Sequence, residues 1–218
     1  MKKNENFMNI YLTIHYSLII LRDMENTENT KKRILEAAEA RFIQYGFGKT
    51  TMAEIAGDCS MSAANIYRFF ESKKEIAAEL ANVCLTQTEE SLRKVVQQKG
   101  LKASDRLEAF ISELLQKSYD LCHKHTKINE LVEFIHNERH DLIGRHREVK
   151  RSFIAEILAE GNRNGEFDEE NIVETAELIL KATLFFCYPG ADGEFPIQEL
   201  KRDAKAISSL LIRGLGKR

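Results

Sequence analysis

Proline is nearly absent. Two of the 218 residues are proline, Pro189 and Pro196, where average usage of roughly 5% would give about eleven. None interrupts residues 1–188. β proteins of this length usually need more turn residues, so the scarcity predicts an all-α chain. Hydrophobic residues at 43% and charged residues at 30% exclude a disordered or fibrous protein. The length fits one or two domains. A net charge of −2 excludes a protein that coats nucleic acid by charge alone. It leaves room for a site-specific DNA reader. The four cysteines, Cys59, Cys84, Cys122 and Cys187, stand far apart with no CxxC pair. That spacing argues against a cysteine zinc finger or a thioredoxin-type site. Their apolar or small-residue contexts read as reduced core positions of a cytoplasmic protein.

No apolar run reaches the roughly 20 residues that span a bilayer, so no membrane partner is expected. Ile10–Leu21 comes nearest, preceded by Lys2 and Lys3 and followed by Arg22-Asp23 rather than a small-x-small cleavage site. Residues 1–24 therefore keep three readings: a docking segment, a membrane address, or upstream sequence translated in error before a natural start at Met24. A Gly-rich phosphate loop, HExxH and a Ser-His-Asp signature are all missing, so no catalytic residue and no cofactor is assigned. His123, His125, His136, His140 and His146 cluster within 24 residues. His136 and His140 are i,i+4 and are expected on one helix face, with Glu133 three positions before. Solvated or core histidines are the plainer expectation, with no metal. A helical metal sensor or helical enzyme built on His123–His146 is the alternative function.

What is present is helical periodicity with clear punctuation. Thr30 to Tyr45 reads as a first helix, capped by Thr30, with Ile34, Leu35, Ala38, Phe42 and Ile43 on one face. Thr51-Met-Ala-Glu54 fits a capping box, and Ser62 caps a third helix running to Phe70. Ser72-Lys-Lys-Glu75 is a second box opening a long helix to about Gln98. Helices follow from Asp105, over Ile128–His140, from Val149 through Leu158 to an end at Gly161, and from Glu169 to Cys187. A last one covers Ile197–Leu215. The helices at 169–187 and 197–215 are apolar over more than the roughly 100° a single core needs. They fit a dimer interface, with Leu184, Phe185, Ala204, Ile207 and Leu211 as candidates, or burial within the monomer.

Two short capped helices joined by Asp58–Met61 form a helix-turn-helix. The helix after the turn opens with Ala63, Ala64 and Asn65. Small or polar residues let a backbone approach base edges. Alanine can touch a thymine methyl, and asparagine can pair with adenine. Tyr67 and Arg68 add polar tips for phosphates or bases. Thr51 offers a hydroxyl at a helix start, suited to phosphate. Lys73 puts a cation at a helix N-terminus, which the dipole disfavours unless an anion lies near. Residues 25–75 hold eight Lys/Arg and eight Asp/Glu. Binding then depends on where the cations sit.

The stretch Arg33 to Ala38, Gly46-Phe47, Thr51 to Ala56, Ser62 to Phe70 and Ser72 to Glu75 resembles the tetracycline-repressor (TetR) family of bacterial transcription regulators. Tyr67 and Phe70 followed by Ser72-Lys73 are its most specific part. The family usually carries Ala-Gly-Val in the turn where this chain has Cys59-Ser60-Met61. The resemblance implies an all-α homodimer with three parts: a leader at 1–24, a helix-turn-helix DNA-binding domain at 25–72, and a helical ligand-binding and dimerisation domain at 73–218. It implies a double-stranded DNA operator and a small-molecule ligand as partners. Thr51, Tyr67 and Lys73 would meet phosphates, Ser62 would open the recognition helix, and Ala63, Ala64, Asn65 and Arg68 would face bases. Phe110, Leu114, Tyr119, Phe134, His136 and His140 are candidates for the ligand pocket.

Overall fold

The computed structural model describes residues 26–124, 126–187 and 195–216, apart from the side chains of 122–126. The leader and the side chains of Cys122, His123 and His125 lie outside that set. The described residues form ten α-helices. They are α1 (26–45), α2 (Met52–Asp58), α3 (Ala63–Ile66), α4 (Lys73–Val96), α5 (Ala103–Lys124), α6 (Asn129–Glu138), α7 (His140–Arg163), α8 (Ile172–Ala182), α9 (Leu184–Cys187) and α10 (Ile197–Leu215). A 3-10 turn, Thr126–Ile128, precedes α6. The chain divides into two compact units. One holds residues 26–41 and 50–76, and the other holds 42–49 and everything described from Ala77 onward. The division falls inside α4 rather than before it, and assigns the end of α1 to the second unit.

In the first unit, Ile34, Ala38, Ile55, Ile66, Phe70 and Ile76 are buried. These are the apolar positions of the helical repeat. Thr30 is not the cap of α1. The helix begins earlier, and the Thr30 hydroxyl donates back to Asn26 O at 2.8 Å. Between α2 and α3 the chain closes a Schellman turn. Met61 N donates to Ala56 O at 2.8 Å, and Ser60 N to Gly57 O at 2.9 Å. That motif places one residue in the left-handed region, where glycine is usual. Ser60 takes it, with φ +55. Relieving a left-handed Cβ is worth about 1 kcal/mol. Ser60→Gly should therefore raise the thermal midpoint, by roughly 2–4 °C for a chain of this size. An unchanged or lower midpoint in a calorimetric scan would sink the strain argument.

In the second unit α5 runs through the middle of the core. Its Leu107, Phe110, Ile111, Leu114 and Leu115 pack with Leu92 and Val96 of α4, Phe153, Ile154, Ile157 and Leu158 of α7, Ile179 and Leu180 of α8, and Leu200 and Ala204 of α10. Long-range polar contacts set several helix ends. α5 starts at Ala103 because the Glu166 carboxylate accepts from Ala103 N and Ser104 N. Asp105, expected as its cap, lies in the first turn instead. Asn162 grips Glu169 on both its N–H and C=O, so residues up to Asn171 stay out of the helix and α8 begins at Ile172. The single helix expected over 169–187 is broken at Thr183, whose buried hydroxyl donates to Ile179 O at 2.8 Å. Between α4 and α5, the buried Arg106 guanidinium donates to Val96 O and Leu101 O and gives one hydrogen bond to each carboxylate oxygen of Glu160 of α7.

Candidate nucleic-acid interface

The Thr51 capping box has both halves. Its hydroxyl accepts from Glu54 N at 3.3 Å, and Glu54 Oε2 accepts from Thr51 N at 2.8 Å. The same carboxylate oxygen lies 2.8 Å from the Thr51 hydroxyl, which donates to it. These two donors hold the Glu54 carboxyl below its ordinary range. A phosphate reaching Thr51 must take its donors over from Glu54.

Ser62, extended at φ −71 and ψ 152, accepts from Asn65 N at 3.2 Å and starts α3. Ala63, Ala64 and Arg68 are exposed, Asn65 is half-buried, and Ile66 is fully buried. One short face of small and polar groups thus projects over a buried anchor. α3 is shorter than the expected 63–70. Arg68 N bonds Asn65 O and Phe69 N bonds Ile66 O, an i→i+3 winding that tightens the end of the helix. Phe70 is carried inward, 3% exposed, and Tyr67 outward, 52% exposed. Lys73 is half-buried, and its ammonium donates to Thr50 O at 2.7 Å. A backbone carbonyl thus accounts for a cation at the start of α4 without invoking a phosphate.

Arg41 is absent from the sequence reading. Its guanidinium grips both Asp58 oxygens and lies 3.4 Å from Glu54, so it ties α1 to both ends of α2. It also holds the Asp58 carboxyl below its ordinary range. The signal was available. Position 41 follows Ile34 and Ala38 at helical spacing, and a cation on a core-facing stripe needs a partner.

The other expected sites fare differently. Phe110 and Leu114 are sealed in the core, and Tyr119 packs against it. Phe134 stacks on Phe47 at 4.8 Å, while His136 and His140 are exposed. A cleft of about 550 Å³ lies elsewhere, lined by residues 96–101, Arg106, Glu156 and Glu160. His136 and His140 do not share a helix face, because Arg139, at φ −124 and ψ 54, separates α6 from α7. His146 is buried against Glu89 at 2.8 Å, and burial pushes its imidazole down to about 4. Among the described residues no group of three His, Cys, Asp or Glu is placed to hold a metal ion. Ala204, expected at a dimer interface, is 3% exposed and belongs to the monomer core. Ile207 and Leu211 are half-buried against that core, and Leu184 and Phe185 are 57% and 49% exposed.

Two family models match. Bacterial regulatory proteins of the tetR family match residues 34–80, and the tetracyclin repressor-like C-terminal domain matches residues 103–208. The HTH-type transcriptional regulator YhgD of Bacillus subtilis, described as uncharacterized, is 40% identical over 55 residues, 25% of this chain and 29% of that protein. The chain spans about three-tenths of the length of the curated relatives it matches. A TetR-family regulator from Pectobacterium atrosepticum superposes with a TM-score of 0.69 at 18% identity, over 89% of this chain and 97% of that one. SmeT, the repressor of the SmeDEF multidrug efflux pump of Stenotrophomonas maltophilia, gives 0.62 at 18%, over 88% and 92%. At these identities the structural likeness speaks for the fold alone.

Proposed function

The chain belongs to the tetR family of bacterial regulatory proteins, and from that premise we propose that it is a cytoplasmic, DNA-binding transcriptional repressor. Two copies would hold a palindromic operator, and a small molecule in the second unit would release them. The observation that carries this reading is the face of exposed Ala63 and Ala64 and half-buried Asn65 on a helix anchored by Ile66. Nothing bulky keeps that backbone from a major groove. Tyr67 and Arg68 flank it for phosphates. Large exposed apolar side chains on α8, α9 and α10, namely Val173, Leu178, Leu184, Phe185 and Leu210, supply a surface for the second copy. Ligand shifts operator affinity only by its differential affinity for the two states. No described helix is long and apolar enough to cross a membrane. No catalytic step belongs to this reading.

Selection of duplexes from a random pool tests it. The native chain should enrich a palindrome. Asn65→Ala should relax one or two positions of that palindrome and lose about 1–3 kcal/mol against it, with little change on random duplex. Tyr67→Phe should weaken both by about 1 kcal/mol, the worth of one hydrogen bond. A pool in which nothing is enriched, or two variants with the same profile, would overturn the assignment.

A further inference from the structure

α2 is seven residues long and buries Met52, Ile55 and Ala56. A helix that short is held by its packing and not by its own hydrogen bonds. Its last turn carries no basic residue and ends in Asp58. An acid there adds to the negative end of the helix dipole. The turn that follows supplies its own donors to Ile55 O, Ala56 O and Gly57 O, and holds Ser60 at φ +55. Two arginines of α1, about two helical turns apart, supply the cations that α2 lacks. Arg33 Nη2 donates to Cys59 O at 3.0 Å, and the buried Cys59 thiol donates back to Arg33 O at 3.6 Å. Arg41 Nε and Nη2 hold the two Asp58 oxygens at 2.5 and 2.9 Å. Arg33 is exposed, so it adds little to the core. What it contributes is the placement of the turn.

We propose that Arg33 and Arg41 are positioning residues for base readout: they fix the turn from which α3 springs, and so aim Ala63, Ala64 and Asn65. The proposal rests on the DNA-binding reading above. α3 opens at Ala63, four residues beyond Cys59, so a shift of the turn moves the whole reading face. Paired hydrogen bonds to a base edge tolerate only about 0.5 Å of misplacement. Contacts to phosphates are more forgiving, because attraction between charges falls off slowly with distance. Loosening the clamp therefore costs sequence discrimination and leaves attraction to any duplex in place. Ser60 sharpens the need. A glycine would hold the left-handed conformation without strain, whereas a serine needs its neighbours held.

The test compares variants of the full chain on a duplex enriched from a random pool and on random duplex, at several salt concentrations. Arg33→Met should lose about 10-fold on the enriched duplex, within the usual range for residues that touch neither ligand. On random duplex it should lose under about 2-fold, with an unchanged slope of affinity against salt. Arg33→Lys, which can still donate to Cys59 O, should recover most of the loss. A second selection with Arg33→Met should relax together all the positions that α3 reads, where Asn65→Ala relaxes one or two. Arg41→Met and Asp58→Ala should each cost discrimination, and their combination little more than either, since both break one contact. Circular dichroism checks the fold of each. Should Arg41→Met melt early, Arg33→Met carries the comparison from an exposed position. Equal weakening on both duplexes with a salt slope lower by about one would make Arg33 a phosphate contact and overturn the proposal alone. So would a folded Arg33→Met with native discrimination. A pool that enriches no duplex overturns the operator and this positioning role together.

Discussion

Leu184→Glu combined with Leu210→Glu should sediment as a single chain, keep its helical circular dichroism, and lose operator affinity by about 100-fold or more. Leu184 and Leu210 are 57% and 62% exposed. Within one copy, then, a carboxylate at either place stays in water and costs the fold little. In a symmetric dimer each substitution appears twice and puts an unpaired charge into a buried surface. Losing the second half-site removes the effective concentration that makes two weak contacts act as one strong one, commonly a factor of 10²–10⁴. Exposure is what makes this pair informative. The same change at Ala204 would break the monomer core, and a loss of binding there would say nothing about association. A native chain that already sediments as a monomer at micromolar concentration, or a double variant that stays dimeric, would remove this surface from the mechanism.

Gly161→Ala should lower stability by about 3 kcal/mol, near the top of the range for overpacking, and lower the thermal midpoint by about 6–12 °C. A Cβ at position 161 would stand 2.1 Å from Phe167 Cδ2 and 2.6 Å from Cε2. Phe167 is 3% exposed and cannot swing away without leaving the core. Its backbone is committed too, because Glu166 N and Phe167 N both bond Gly161 O. Moving that turn pulls the Glu166 carboxylate off the start of α5 and Asp168 N off Leu215 O. Gly144, on the same helix, has nothing within 4 Å of its Cβ position. Gly144→Ala should gain about 0.5–1 kcal/mol from helix propensity alone. Paired melting curves read both. Two alanines with the same effect would mean that propensity, not packing, governs position 161.

Features whose cause lies within a few residues were legible in the sequence. The Thr51–Glu54 box, the Ser62 cap and the span of α10 are local, and α10 begins and ends where its pattern does. Features set from afar were not. Nothing near Ala103 announces that Glu166 will cap α5, and nothing near Glu169 announces the grip of Asn162. Gly161 reads as a helix end, yet α7 runs on to Arg163 because the glycine makes room for a ring six residues later. An apolar stripe cannot say which neighbour covers it, so Ala204 and Leu184 looked alike. The i,i+4 spacing of His136 and His140 carried meaning only while the helix was unbroken, and Arg139 breaks it. In the helix-turn-helix the residues and the place of the turn were legible, and only the glycine usual in the family opposite Ser60 pointed to the turn's conformation. Ser60 stands in a glycine's conformation, and its own identity gives no hint of that.

The joint between α4 and α5 is written in one side chain. Arg106 reaches a carbonyl on each side of residues 97–100 and anchors both to α7, so the connecting loop has little to specify beyond its reach. Doubling such a loop costs only about 0.6 kcal/mol in closure entropy. Across descendants of this chain, Gly100 stays glycine because its φ is +83, while residues 97–99 are free to drift and the loop to accept insertions. Position 106 is not, and a lineage that loses the guanidinium must rebuild the joint by other means.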